Sequence, residues 1–398
     1  MNPATIGNPA RTPATPPVIA PATAPRRLRV AIVGCGKIAD QHVQAIRRVA
    51  DCEVVALCDN ELLMARQLGE RFHIPQCFAS AGEMLQAVRP DVVHITTPPQ
   101  GHLSLGRQCL EAGSHVYLEK PFAITTADTV ALIDLAHARG LKITAGHNYQ
   151  FTLEMLEMRR LVAQNYLGGA PVHVESYWTY DLTDVSYVGP ILGSASHWVR
   201  RLPGQLYHNL ISHGIAKLAE FLDDDLTLIQ AWSHQSDHLR SLGGKEVQDE
   251  LRVFIRDKKG TTAFFCFSTQ IKPGLNLLRI CGPKKSLVVD HSSGSLIRQE
   301  ITSHKSYLTY LIPPIWQGRQ FFANAWNNFK NIARRRLHQD SGMKDLTELF
   351  YASIRTDGAP PIPYREIILT ARIMEEIFNQ VYPPKTAADA AASADGPQ

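Results

Sequence analysis

Apolar and polar positions follow two different rhythms along the chain. From Arg29 the run RVAIV is apolar after its first residue, a glycine turn follows, and the next segment repeats apolar positions three and four apart. That is how a strand buried on both faces and its crossover helix should read. The strands CEVVALCD, DVVHITT, HVYLEK and KITAGHN then alternate with helical patterns near Leu62–Phe72, Ala81–Val88, Leu103–Ala112 and Thr126–Arg139. Regular alternation of this kind predicts right-handed crossovers and an α/β Rossmann domain, a doubly wound parallel sheet over residues 27–148. After Tyr149 the rhythm changes. One helix (Leu153 to Gln164) precedes LTLIQAWSHQ, DELRVFIRD, TTAFFCFSTQ, NLLRICG and SLVVDH, alternating runs separated by turn residues such as RDKKG. Residues 149–383 are expected to form an α+β domain for substrate and oligomerisation, built on a large open, mainly antiparallel sheet and closed by a helix from about Tyr364 to Tyr382.

Composition narrows the class. The 398 residues are 44% apolar, enough for substantial cores, and the formal charge of +4 is too mild to argue for a nucleic-acid partner. Residues 1–26 and 384–398 read as disordered tails, the first rich in Pro and Ala. No stretch is long and apolar enough for a transmembrane helix. The seven cysteines are scattered through apolar runs without zinc-ligand spacing. They suggest a reducing cytoplasm and no metal site.

The first candidate chemistry lies in GCGKIA. Gly34, Gly36 and Ala39 have dinucleotide-fingerprint spacing between a buried strand and a helix, where the turn, the close approach of the pyrophosphate and the helix contact each require a small residue. Lys37 and Ile38 begin that helix and join the candidate cofactor contacts. Asp59 ends the second strand, placed to accept from a ribose 2′-hydroxyl and to repel a 2′-phosphate. NAD is therefore expected over NADP.

TTPPQGH and CLEAGSHVYLEKPFA resemble the Gfo/Idh/MocA family of sugar and cyclitol dehydrogenases. The resemblance matches Thr97, Pro98, Pro99 and His102 to a strand-end loop and Glu119, Lys120 and Pro121 to an EKP signature, and implies Thr97, Pro98, His102, Glu119 and Lys120 as cofactor contacts. It implies that Lys120 hydrogen-bonds the substrate hydroxyl that loses hydride, with Glu119 orienting Lys120 or the nicotinamide ribose. Pro121 restricts Lys120 to extended or turn geometry, which independently aims the lysine out of the strand end. The family's second catalytic group comes from a helix carrying D-x-x-x-H, and Asn209-x-x-x-His213 matches it here. Residues four apart share a helical face, so Asn209 and His213 are expected to face one cleft while His208 does not share their direction equally. The resemblance selects His213 as general base. Asn209 departs from the pattern, because an amide can hold a hydroxyl but cannot take a proton. Gln150 is a second loss of charge; His147 and Asn148 are expected to border the nicotinamide.

Tyr177, Trp178 and Tyr180 suit stacking on a sugar face, although strand aromatics more often lie in a core or interface. Residues 307–339 fall outside the resemblance. Phe321, Phe322, Ala325, Trp326, Phe329, Ile332 and Ala333 recur at helical spacing before Arg334, Arg335 and Arg336. The preferred reading docks this amphipathic helix on its own domain or a second subunit; an anionic membrane surface is the minority reading. The expectation is an NAD(P)-dependent homo-oligomeric oxidoreductase acting on a secondary alcohol or ketone carbon of a sugar, cyclitol or nucleotide-linked sugar. Its rivals are a regulatory dinucleotide-binding protein and a redox-neutral enzyme that keeps its NAD.

Overall fold

The computed structural model describes residues 26–182, 189, 191–194, 196–243, 247–300, 307–337 and 341–383. The first domain alternates β1 (Leu28–Val33), α1 (Lys37–Ile46), β2 (Cys52–Cys58), α2 (Leu62–Phe72), β3 (Cys77–Phe78), α3 (Ala81–Val88), β4 (Val92–Ile95), α4 (His102–Glu111), β5 (His115–Leu118), α5 (Thr126–Ala138) and β6 (Ile143–Ala145). Its six strands are all parallel, in the order β3-β2-β1-β4-β5-β6. Every residue of β4 is buried, which is why these strands read as apolar runs without alternation. The order reverses between β1 and β4, and strand ends on either side of such a reversal leave a crevice.

The second domain contains α6 (Leu153–Ala163), β7 (His173–Thr179), α7 (Gln205–Leu210), α8 (Ser212–Ala219), β8 (Leu226–His234), α9 (Asp237–Ser241), β9 (Glu250–Asp257), β10 (Thr262–Ser268), β11 (Asn276–Cys281), β12 (Lys285–Asp290) and β13 (Ser295–Glu300). Then come α10 (Leu308–Ala333), α11 (Ser341–Thr356) and α12 (Tyr364–Val381). Its sheet runs β13-β12-β11-β7-β10-β9-β8 and is antiparallel except where β7 meets β10. Helices α8 and α12 cover one face, and the other leaves Leu228, Trp232 and Phe254 exposed.

Two helices cross the boundary that the sequence suggests. Although α11 follows the second sheet in the chain, its Leu346, Phe350 and Tyr351 pack into the first domain's core. Helix α12 gives Ile367 to that core and Ile373, Met374, Ile377 and Phe378 to the second. All seven cysteines are free thiols. Among the described residues, no helix is long and apolar enough to cross a membrane.

Candidate active site

The glycine turn between β1 and α1 sets the cofactor end. Gly34 has φ +97°, and a Cβ there would lie 2.8 Å from the Thr96 and Thr97 backbone, so a side chain has neither the conformation nor the room. A Cβ on Gly36 would instead meet nothing within 4 Å. Gly36 caps α1 without a side-chain hydrogen bond, leaving the Lys37 and Ile38 amides at the helix start without a capping side chain. Asp59 accepts from the Cys35 amide at 2.7 Å and from the Glu61 amide at 2.9 Å, which fixes its carboxylate at the rim. Gly34, Gly36, Asp59, Thr97 and Pro98 line a cleft of about 580 Å³ that Trp198 and Arg201 of the second domain border. The Gln100 side chain donates to the Trp198 carbonyl at 2.9 Å across it. An uncapped helix start, space above Gly36 and a carboxylate at the end of β2 fit a dinucleotide.

Two expected cofactor contacts are placed elsewhere. His102 is fully buried between main-chain carbonyls, Nδ1 facing Pro121 and Phe122 and Nε2 facing Thr97, and so sits between the loop after β4 and the one after β5. Glu119 turns inward. Its Oε1 lies 3.0 Å from His42 Nε2, and its Oε2 accepts the Lys120 amide at 3.0 Å. Behind it, His42 Nδ1 is 2.8 Å from His94 Nδ1, and His94 Nε2 is 2.8 Å from the Tyr351 hydroxyl. With both imidazoles neutral, the contacts fit a chain in which Tyr351 donates to His94, His94 to His42, and His42 to an ionised Glu119. Burial raises the Glu119 carboxyl, but the His42 bond and the neighbouring charges outweigh it, leaving Glu119 below the ordinary value. Burial holds the Tyr351 phenol well above its ordinary value and His94 well below.

Lys120 leaves the end of β5 through a cis peptide bond to Pro121, and its Nζ donates to the Asn209 carbonyl at 3.1 Å. The single helix expected around Asn209 and His213 is two, α7 and α8, interrupted at Ile211. The lysine from the first domain thus binds main chain just before that interruption. His213, in α8, is buried, and its Nδ1 has no hydrogen-bond partner among the described residues. Its ring lies 4.9 Å from Tyr149, 5.5 Å from Trp178 and 6.0 Å from His147, centroid to centroid. Burial, reinforced by Lys120 and other basic neighbours, depresses His213 well below the ordinary imidazole value. Burial takes His147 down to about 4 and lowers Lys120 against the opposing charge of Glu119. Asn148 begins the short helical turn that follows His147.

The remaining candidates separate by face. His208 stacks on Phe378 at 4.8 Å and shares the lining of a small cavity with His147 and Ser212. Alternation along β7 turns Trp178 inward and Tyr177 to the opposite side, against Phe264, so Tyr177 is not in the cleft. Gln150 is buried and donates to the Ala216 carbonyl and to Glu220, which Arg159 grips with two bonds. Sequence reasoning missed Lys217, one turn beyond His213. It is fully buried, its Nζ has no hydrogen-bond partner, and it sits 4.9 Å from the Trp178 ring. Burial brings it down to about 7. His291, also missed, bonds Glu154 through Nδ1 at 2.9 Å and leaves Nε2 without a partner. The i,i+4 spacing of His213 and Lys217 inside an apolar helix was the available signal for Lys217; His291 lies beyond β12 and carried none.

Residues 28–147 match the oxidoreductase family described as having an NAD-binding Rossmann fold. This first domain belongs to the Gfo/Idh/MocA family. The Gfo/Idh/MocA region is 35% identical over 142 residues to the D-glucoside 3-dehydrogenase of Escherichia coli, covering 35% of this chain and 40% of that one. It is 31% identical over 157 residues to the D-apiose dehydrogenase of Paraburkholderia graminis, covering 39% and 42%. The matched segment thus spans about two fifths of these relatives. The fold extends further: the WlbA dehydrogenase of Bordetella pertussis, solved with NADH and UDP-GlcNAcA, superposes with a TM-score of 0.72 at 16% identity over 90% of this chain and 97% of that one.

Proposed function

We propose that the protein is an NAD-dependent oxidoreductase acting on a secondary alcohol or ketone carbon of a carbohydrate-like molecule: a sugar, a cyclitol or a nucleotide-linked sugar. The observation that carries this reading is the meeting of Lys120 from the first domain with the helix pair that presents a buried His213 whose Nδ1 has no partner. Gly34, Gly36 and the first amides of α1 would hold the pyrophosphate, and Asp59 the ribose hydroxyls, which favours NAD over NADP. When bound, the nicotinamide accepts or supplies the hydride. Lys120 polarises the reacting oxygen and stabilises charge developing on it. His213, kept neutral by burial, takes the hydroxyl proton during oxidation and returns it during reduction. Asn209 supplies no carboxylate, so the proton step rests on His213. The unpartnered nitrogens of Lys217 and His291 suit the hydroxyls of a polyol.

The related dehydrogenases of E. coli and P. graminis, named for a glucoside and for apiose, support the carbohydrate class. The exposed apolar residues on the open face of the second sheet support a homo-oligomer, and the free thiols support a reducing cytoplasm. The test is a panel of sugars, cyclitols and nucleotide sugars assayed for NADH formation with wild type and Lys120→Ala. Turnover of at least one compound by wild type, lost in the variant, is the expected result. A silent wild type would refute the activity, and an unimpaired variant would refute the role of Lys120.

A further inference from the structure

Helix α10 is docked with the polarity opposite to that of an ordinary surface helix. Its polar side faces the protein. Gln320 exchanges two hydrogen bonds with the Arg298 backbone, at 2.9 and 3.0 Å, and Asn324 exchanges two with Leu296, at 3.3 and 3.0 Å. Asn328 donates to the Ser293 carbonyl at 2.9 Å. The match is geometric: four helical residues rise about 6 Å and two strand residues about 6.7 Å, so amides four apart meet the exposed backbone positions of β13. That strand is the sheet's edge, and the side-chain amides satisfy groups that would otherwise invite another strand. The helix docks on its own domain, as the preferred reading had it, but through amides, because an edge strand offers hydrogen bonds, not an apolar surface.

The consequence is an apolar stripe facing outward. Leu308, Leu311, Ile315, Phe322, Trp326 and Phe329 are spaced three, four or seven apart, and every one is at least half exposed, Phe322 by 81%. No residue of α10 is buried. Charge identifies the occupant. Residues 307–337 carry Arg319, Lys330, Arg334, Arg335 and Arg336 with no Asp or Glu. A second copy of the helix would bring like charges together, whereas an anionic bilayer complements cations flanking an aromatic and aliphatic stripe. Trp326 within the stripe suits the headgroup boundary.

We propose that α10 is an interfacial anchor, lying in the plane of an anionic phospholipid surface with its Phe322–Trp326 face inserted, and holding the enzyme's second sheet at the membrane by its amide side. The test is flotation of the full chain with vesicles of phosphatidylcholine alone and of phosphatidylcholine mixed with phosphatidylglycerol, at low and high salt. Wild type is expected to float with the mixed vesicles, and less so at high salt. Phe322→Glu/Trp326→Glu should abolish flotation, and Arg334→Glu/Arg336→Glu should weaken it by about tenfold or more. Light scattering should give the same native mass for all three proteins. Failure of wild type to float, equal flotation with uncharged vesicles, or full retention by the Phe322→Glu/Trp326→Glu variant would overturn the proposal. A fall in that variant's native mass would also overturn it, assigning the stripe to a second copy.

Discussion

The two sides of the candidate active site are finished to different degrees. Behind Lys120, Tyr351, His94, His42 and Glu119 form a closed series ending at the Lys120 amide, although Thr97 Oγ1 and His147 Nε2 on the same side have no partner among the described residues. On the second-domain side His213 Nδ1, Lys217 Nζ and His291 Nε2 are buried without partners. A satisfied buried network fixes the position of its members, while an unsatisfied polar group costs free energy unless a ligand completes it. The series behind Lys120 therefore fixes the lysine's own amide, whereas His213, Lys217 and His291 hold buried polar atoms that the fold leaves unsatisfied.

The contrast breaks most decisively at Glu119. Glu119→Ala leaves His42 buried without its acceptor and should cost about 3 kcal/mol or more of unfolding free energy, measured by denaturant titration. A loss below about 1 kcal/mol would mean that the network is not closed. Lys217→Met should act in the opposite direction. The fall from 10.5 to about 7 corresponds to roughly 4–5 kcal/mol of unfavourable burial for the ammonium. Replacing it should stabilise the chain by about 2–4 kcal/mol at pH 6. The sign with pH is fixed. Between about pH 7 and 10.5 the unfolded lysine holds its proton while the folded one has released it, so the wild type gains stability as pH rises and the advantage of Lys217→Met shrinks. A pH-independent difference, or a destabilised variant, would show that Nζ has a partner. The smallest effect is expected for Tyr351→Phe, which removes one donor to His94 and should cost about 1–2 kcal/mol. Substrate KM should be unchanged, because the residue lies behind the lysine and not in the cleft.

How legible all this was follows the range of the interactions. The glycine turn, the parallel strands and the strand-end position of Lys120 are local matters of spacing, and Gly34, Gly36, Asp59 and Lys120 lie just past the carboxyl ends of β1, β2 and β5. The inward turn of Glu119 was not legible, since it depends on His42 and His94, and on Tyr351 more than two hundred residues later. The interruption at Ile211 was missed because helical periodicity continues across it; the tertiary bond from Lys120 to the Asn209 carbonyl is invisible in a pattern of apolar positions. For α10, the stripe was plain but its direction was not. Which face docks depends on what the neighbour offers, and β13 offers backbone.

Helix α12 carries one more consequence. Because its successive turns belong to both hydrophobic cores, neither core can lose its order while the other keeps its full contact surface. Two folds joined by a plain linker can melt separately, but two that share a helix are thermodynamically one unit. Calorimetry should therefore record a single cooperative endotherm for this chain, with both domains melting in the same transition.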